Sequence, residues 1–106
     1  MNRKAYFKQL GNELIDRLRV RFDIKKGKVI DFVVQYESNI TDKWVAIVRF
    51  DCMHGFFHKD IMTPDGKQEK KKIDINDLNI AFTYAIEHLT EKWQFYKEEY
   101  LKNLKS

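Results

Sequence analysis

Two runs in the middle of the chain, Val29–Tyr36 and Trp44–Asp51, are rich in β-branched and aromatic residues, and only the polar stretch Glu37–Asp42 separates them. A parallel crossover needs a dozen or more residues, so strands joined this closely must run antiparallel. Upstream, Arg21–Ile24 has the same texture, and Lys25, Lys26, Gly27 and Lys28 have the length and the glycine of a hairpin turn. Downstream, Phe56–Met62 reads as a further strand, followed by the turn residues Thr63, Pro64, Asp65 and Gly66. Gln68–Ile73 adds another, and its Lys70, Lys71 and Lys72 suit an exposed sheet edge, where charge discourages strand-to-strand aggregation.

The two ends read differently. From Asn2 to about Arg19 the apolar residues Tyr6, Leu10, Leu14 and Leu18 recur every fourth position, joined by Phe7 and Ile15, which predicts an amphipathic helix. Asp74 or Asn76 is placed to cap a second helix running to about Leu104, with Leu78, Phe82, Ala85, Leu89, Trp93, Tyr96 and Tyr100 near one face. The expected fold class is α+β: an N-terminal helix, an antiparallel β-meander of four or five strands, and a long C-terminal helix. Both helices are expected on one sheet face. At 106 residues the chain is expected to form a single domain, residues 1–106.

Composition narrows the class further. Cys52 stands alone, so neither an internal disulfide nor a cysteine-pair zinc ribbon can form, and a reducing cytoplasm is the simplest compartment. No run approaches the roughly 20 apolar residues of a membrane span, and Met1–Leu10 lacks the apolar centre of a signal peptide. A cytoplasmic protein with no membrane partner is expected. Twenty Lys and Arg against sixteen Asp and Glu give a net charge of +4, which favours an anionic partner.

Strand alternation gives Ile30, Phe32, Val34 and Tyr36, with Trp44, Ala46, Val48 and Phe50, to the face under the helices. The other face then mixes Val33, Val45 and Ile47 with Asp31, Gln35 and Arg49. That is too apolar for exposure and too polar for a dry core, so a partner, a second subunit or a ligand is expected there. If His54 and Gly55 form the centre of a tight turn, Asp51 faces His58 and Arg49 faces Asp60, all on this open face.

Asp51 beside His58 is what general acid-base chemistry requires, with the carboxylate orienting the imidazole and Arg49 engaging a phosphate. His54, His58 and Asp60, with Asp51, could instead ligate a divalent ion. The same residues could also be cross-strand ion pairs that satisfy one another. Arg17, Arg19, Arg21, Lys25, Lys26 and Lys28 form a local basic cluster suited to nucleic-acid phosphates. No glycine-rich phosphate loop, serine nucleophile elbow or dinucleotide fingerprint is present, and no cofactor is expected.

The segment Arg49–Asp60, with the turn Thr63–Gly66 and the helix after it, resembles a group of small prokaryotic domains of unknown function. In that group an Arg, an aromatic and an Asp precede a His-Gly turn and a further His; the likeness covers about the last two thirds of the chain. More distantly, the aspartate followed by histidines is similar to TumE-type toxin proteins of toxin-antitoxin pairs. The resemblance implies a toxin-like activity and carries over Asp51, His54 and His58. Two functions are therefore expected as alternatives. One is RNA cleavage or binding, with Asp51, His58 and Arg49 as the site. The other is a non-catalytic homodimeric or partner-binding module using Val33, Val45 and Ile47 as its interface.

Overall fold

From Arg17 to Ile24 the chain alternates strictly, with Leu18, Val20, Phe22 and Ile24 on one side and Arg17, Arg19, Arg21 and Asp23 on the other. That two-residue period builds a strand, β2 (Asp16–Lys25), in the computed structural model, which describes residues 1–52 and 56–104. The remaining strands are β1 (Asn2–Gln9), β3 (Lys28–Ile40), β4 (Lys43–Asp51), β5 (His58–Met62) and β6 (Gln68–Lys72). They form one six-stranded sheet in chain order, every neighbour antiparallel. Among the described residues a single helix, α1 (Leu78–Leu104), crosses one face over β3 and β4.

The expected N-terminal helix is therefore absent, and the sheet has six strands where four or five were expected. Its four-residue spacing fails on backbone grounds: Gly11 and Leu14 sit at φ 68° and 60°, outside helical space, and Leu14 is exposed. The chain folds back instead, and β1 pairs with β2 from Asn2 opposite Ile24 to Gln9 opposite Arg17. Lys26 and Gly27 are the two positive-φ residues of the hairpin between Lys25 and Lys28, and Thr41 and Asp42 do the same between Ile40 and Lys43. The cap of α1 is Asp77, not Asp74 or Asn76 as expected: its Oδ1 accepts the Asn79 and Ile80 amides at 2.9 and 3.1 Å.

Two register shifts decide which side chains reach which face. Tyr36 pairs with Val48 but Glu37 pairs with Ala46, so Ile47 is an extra residue. The bulge sends both Ile47 and Val48 into the core and turns Trp44 and Ala46, expected under the helices, to the open face with Glu37. A second shift between Asp23 and Ile24 leaves Ile30 partly exposed and packs Val29 against the core, the reverse of the expected phase.

The core lies between sheet and α1. Leu18, Val20, Phe32, Val34, Tyr36, Val48 and Phe50 meet Ala81, Ala85 and Leu89. Each large side chain buried this way contributes roughly 1.5–3 kcal/mol. The small Ala81 and Ala85 let the helix approach the central strands. At the far end of the helix Tyr36 donates its hydroxyl to Asp16 Oδ1 at 2.7 Å, and Lys97 reaches Asp16 Oδ2 at 3.0 Å. Burial, and then that bond to a carboxylate, pushes the Tyr36 phenol above its ordinary range.

His88, on α1, is half-buried. Its Nε2 lies 2.6 Å from the Tyr96 hydroxyl, which itself accepts from Lys59 Nζ at 3.2 Å, so Tyr96 donates to a neutral imidazole. Burial first, and the nearby Lys59 and Lys92 charges next, lower the His88 pKa.

Two outcomes follow from this packing. A Cβ on Gly11 would meet Trp93 ring carbons at 3.2 and 3.3 Å, in a backbone conformation that L residues avoid. Gly11→Ala should therefore cost about 1–2 kcal/mol in urea denaturation. For His88, an unfolded-chain histidine titrates near about 6.5. Below that pH the unfolded chain takes up a proton that the native protein disfavours, so stability is lost as pH falls through and below that value. The stability difference between wild type and His88→Phe should thus shrink from pH 7.5 to pH 5; an unchanged difference would contradict the assignment.

Candidate functional site

The face opposite α1 carries the polar halves of the alternating strands. Register places Arg3 and Phe7 of β1 beside Asp23 and Arg19 of β2, then Gln35 and Glu37 of β3, Arg49 and Asp51 of β4, and His58 and Asp60 of β5. The sheet surface here is concave and encloses about 520 Å³, lined among others by Arg3, Phe7, Arg19, Arg21, Arg49 and Asp51.

Buried acids hold the guanidinium groups. Arg3 Nε donates to Asp23 Oδ1 at 2.8 Å, and Arg21 reaches Asp23 at 3.4 Å and Asp31 at 3.2 Å. The hydrogen bond from Arg3 is the main reason the Asp23 carboxyl is held below the usual carboxylate range. Arg17 Nε donates to Glu37 Oε1 at 2.8 Å, Gln35 Nε2 to Glu37 Oε2 at 2.5 Å, and Arg49 Nε to Gln35 Oε1 at 2.8 Å. The Arg17 guanidinium lies 4.2 Å from the Phe7 ring centre and 3.7 Å from that of Trp44. These contacts fix the inner ends of the arginines while the Arg3 and Arg19 side chains remain 62% and 65% exposed. Among the described residues no carboxylate lies within 4.0 Å of the Arg49 guanidinium.

Past Arg49 the face closes into a buried cluster. β4 and β5 pair in the expected register, Arg49 opposite Asp60 and Asp51 opposite His58. His58 is 2% exposed. Its Nε2 lies 2.8 Å from Asp51 Oδ1 and 3.6 Å from Asp60 Oδ2, while Nδ1 is 3.4 Å from the Phe56 carbonyl oxygen. Cys52, next in the chain, donates Sγ–H to Asp31 Oδ1 at 3.2 Å. Burial foremost, with that bond second, pushes its thiol up to about 11, so it is a poor nucleophile at neutral pH.

The structure thus merges two groups of residues that the sequence kept apart. Arg17, Arg19 and Arg21 share the face of Arg49, Asp51, His58 and Asp60, because β2 is a strand. Lys25, Lys26 and Lys28 lie at the β2–β3 hairpin and do not line the cavity. Val33 lines the cavity, but Ile47 is 1% exposed within the core, and Val45 pairs with the buried Ser38 on the helix side. The bulge at Ile47 therefore breaks up the expected apolar interface. His54 lies outside the described residues. Arg3, Phe7 and Glu37 were missed; the Arg-x-Arg-x-Arg alternation of residues 17–21 was the signal that would have brought β2, and its neighbours, to this face.

Fold and site together define a helix packed over a six-stranded antiparallel meander, whose other face is an arginine-rich surface floored by buried acids. The chain belongs to the DUF7718 family, a domain of unknown function, whose model matches residues 1–106. The match covers the whole chain rather than its last two thirds, and the likeness to TumE-type toxins is not shown. No curated protein and no solved structure matches the chain. Among the described residues no helix is long and apolar enough to cross a membrane.

Proposed function

We propose that this protein binds single-stranded RNA on its open sheet face without cleaving it. The observation that carries this reading is the convergence of Arg3, Arg19, Arg21 and Arg49 on one concave surface beside the exposed rings of Phe7 and Trp44. Proteins that hold single strands combine a cationic track for the backbone with aromatic faces on which bases stack. A cavity of about 520 Å³ falls within the range of ligand pockets and suits a nucleotide-sized group. Guanidinium forks favour phosphate oxygens over a diffuse charge, and the buried acids beneath them reduce the entropy lost when they engage.

Binding is favoured over cleavage by the burial of His58. A general base must reach within hydrogen-bond distance of the proton it removes, and both ring nitrogens here face protein oxygens inside the fold. Asp51 is then a group that shapes the cavity floor, and Arg49 is the phosphate contact.

Fluorescence anisotropy with a labelled single-stranded RNA tests this. Wild type should bind at low salt with log K falling linearly in log salt. Arg19→Gln combined with Arg49→Gln should weaken binding about tenfold or more, and the RNA should stay intact on a gel. Binding indifferent to both substitutions, or no binding at low salt, would refute the reading; cleavage lost in His58→Ala would replace it with a nuclease.

A further inference from the structure

The cluster at the β4–β5 end of the open face has a chemistry of its own that RNA binding does not use. Asp51, His58 and Asp60 are all buried, and one potential ligand atom from each lies within 4.8 Å of the others. Two carboxylates and an imidazole enclosed together favour a shared cation, and neither Arg49 nor Lys70, the cross-strand partners of Asp60, forms an ion pair with it among the described residues. A proton on His58 Nε2 supplies part of that positive charge, bridging toward Asp51 at 2.8 Å. It leaves Asp60 unsatisfied: Asp60 Oδ1 is buried with no hydrogen-bond partner among the described residues, and Oδ2 is 3.6 Å from His58 Nε2. Such an orphaned buried carboxylate oxygen is rare in folded proteins.

The arrangement of His58 points the same way. Its Nδ1 faces the Phe56 carbonyl at 3.4 Å, so a proton on Nδ1 donates to the backbone and leaves the Nε2 lone pair directed at the two aspartates. Backbone hydrogen bonding of one ring nitrogen is how proteins orient a metal-ligating histidine.

We propose that Asp51, His58 and Asp60 bind a divalent first-row transition ion, with Nε2 and one oxygen of each carboxylate as ligands. Atoms sharing such an ion at about 2.1 Å can be no more than about 4.2 Å apart, so small side-chain rotations close the site. One imidazole with two carboxylates suits zinc, cobalt or manganese better than calcium, which prefers an all-oxygen shell. Three protein ligands leave coordination positions for water, and Asp51 belongs both to this cluster and to the cavity lining. The ion would therefore lie at the edge of the arginine-lined surface.

Titration of the metal-free full-length protein with Zn²⁺ by calorimetry and with Co²⁺ by visible absorption tests the assignment, with no RNA present, so the result is independent of nucleic-acid binding. Wild type should take up one ion per chain, Asp60→Asn should bind about tenfold or more weakly, and His88→Gln should bind as wild type does. In case Asp60→Asn does not fold, NMR of the wild type provides a second reading. Zn²⁺ should displace the His58 ring signals and leave those of His88 in place. Absence of uptake at micromolar metal, uptake undiminished in a folded Asp60→Asn protein, or an undisplaced His58 would each overturn the proposal.

Discussion

The alternation of side chains along β2, β3 and β4 is the constraint on which the rest of the molecule depends. On one side it stacks Leu18, Val20, Phe32, Val34 and Phe50 into a core that a single helix covers. On the other it brings three arginines of β2 opposite Val33, Gln35 and Glu37 of β3, and Gln35 opposite Arg49 of β4. A slip of one residue would exchange the two faces entirely, which the apolar core forbids. The polar face is therefore held in register by hydrophobic burial on the reverse side of the same strands.

That polar face is unusual in placing carboxylates beneath and guanidinium groups above. Asp23 and Glu37 are buried, and each is reached by more than one arginine. Each of these acids keeps a second arginine when one is removed, so the arrangement restricts the arginines as much as it neutralises them. Arg17 is held from four directions, by Glu37, Phe7, Trp44 and the strand itself. Arg19 and Arg49 are held least by carboxylates, and they are the groups with most to offer an incoming anion.

Much of this was legible in the residues. The antiparallel meander, the Lys26-Gly27 hairpin, the charged β6 edge, the long C-terminal helix and the β4–β5 register that opposes Asp51 to His58 all follow from turn chemistry and two-residue periodicity. The N-terminal region was misread because Tyr6, Leu10, Leu14 and Leu18 imitate a helical stripe, while β1 is an edge strand exposed along most of its length and offers little apolar alternation. Leu10 and Leu18 do enter the core, but from two different segments around the Gly11 turn. The bulge at Ile47 was not legible at all: nothing in Trp-Val-Ala-Ile-Val-Arg marks where an extra residue is inserted, and it alone removes Val45 and Ile47 from the face where simple alternation places them. Burial of His58 depended on contacts from both neighbouring strands and on Asp60, so exposure could not be judged from spacing.

The central claim, that one antiparallel register assembles arginines from three strands and an Asp–His–Asp cluster on a single face, is tested most directly by backbone NMR. Secondary chemical shifts should be extended over residues 2–9 and 16–25, with interstrand NOEs linking Arg19 to Gln35, Gln35 to Arg49, Arg49 to Asp60 and Asp51 to His58, and with Ile47 skipped between Tyr36 and Glu37. Helical shifts across residues 2–19, or a β4–β5 register displaced by one residue, would separate these groups and contradict the account.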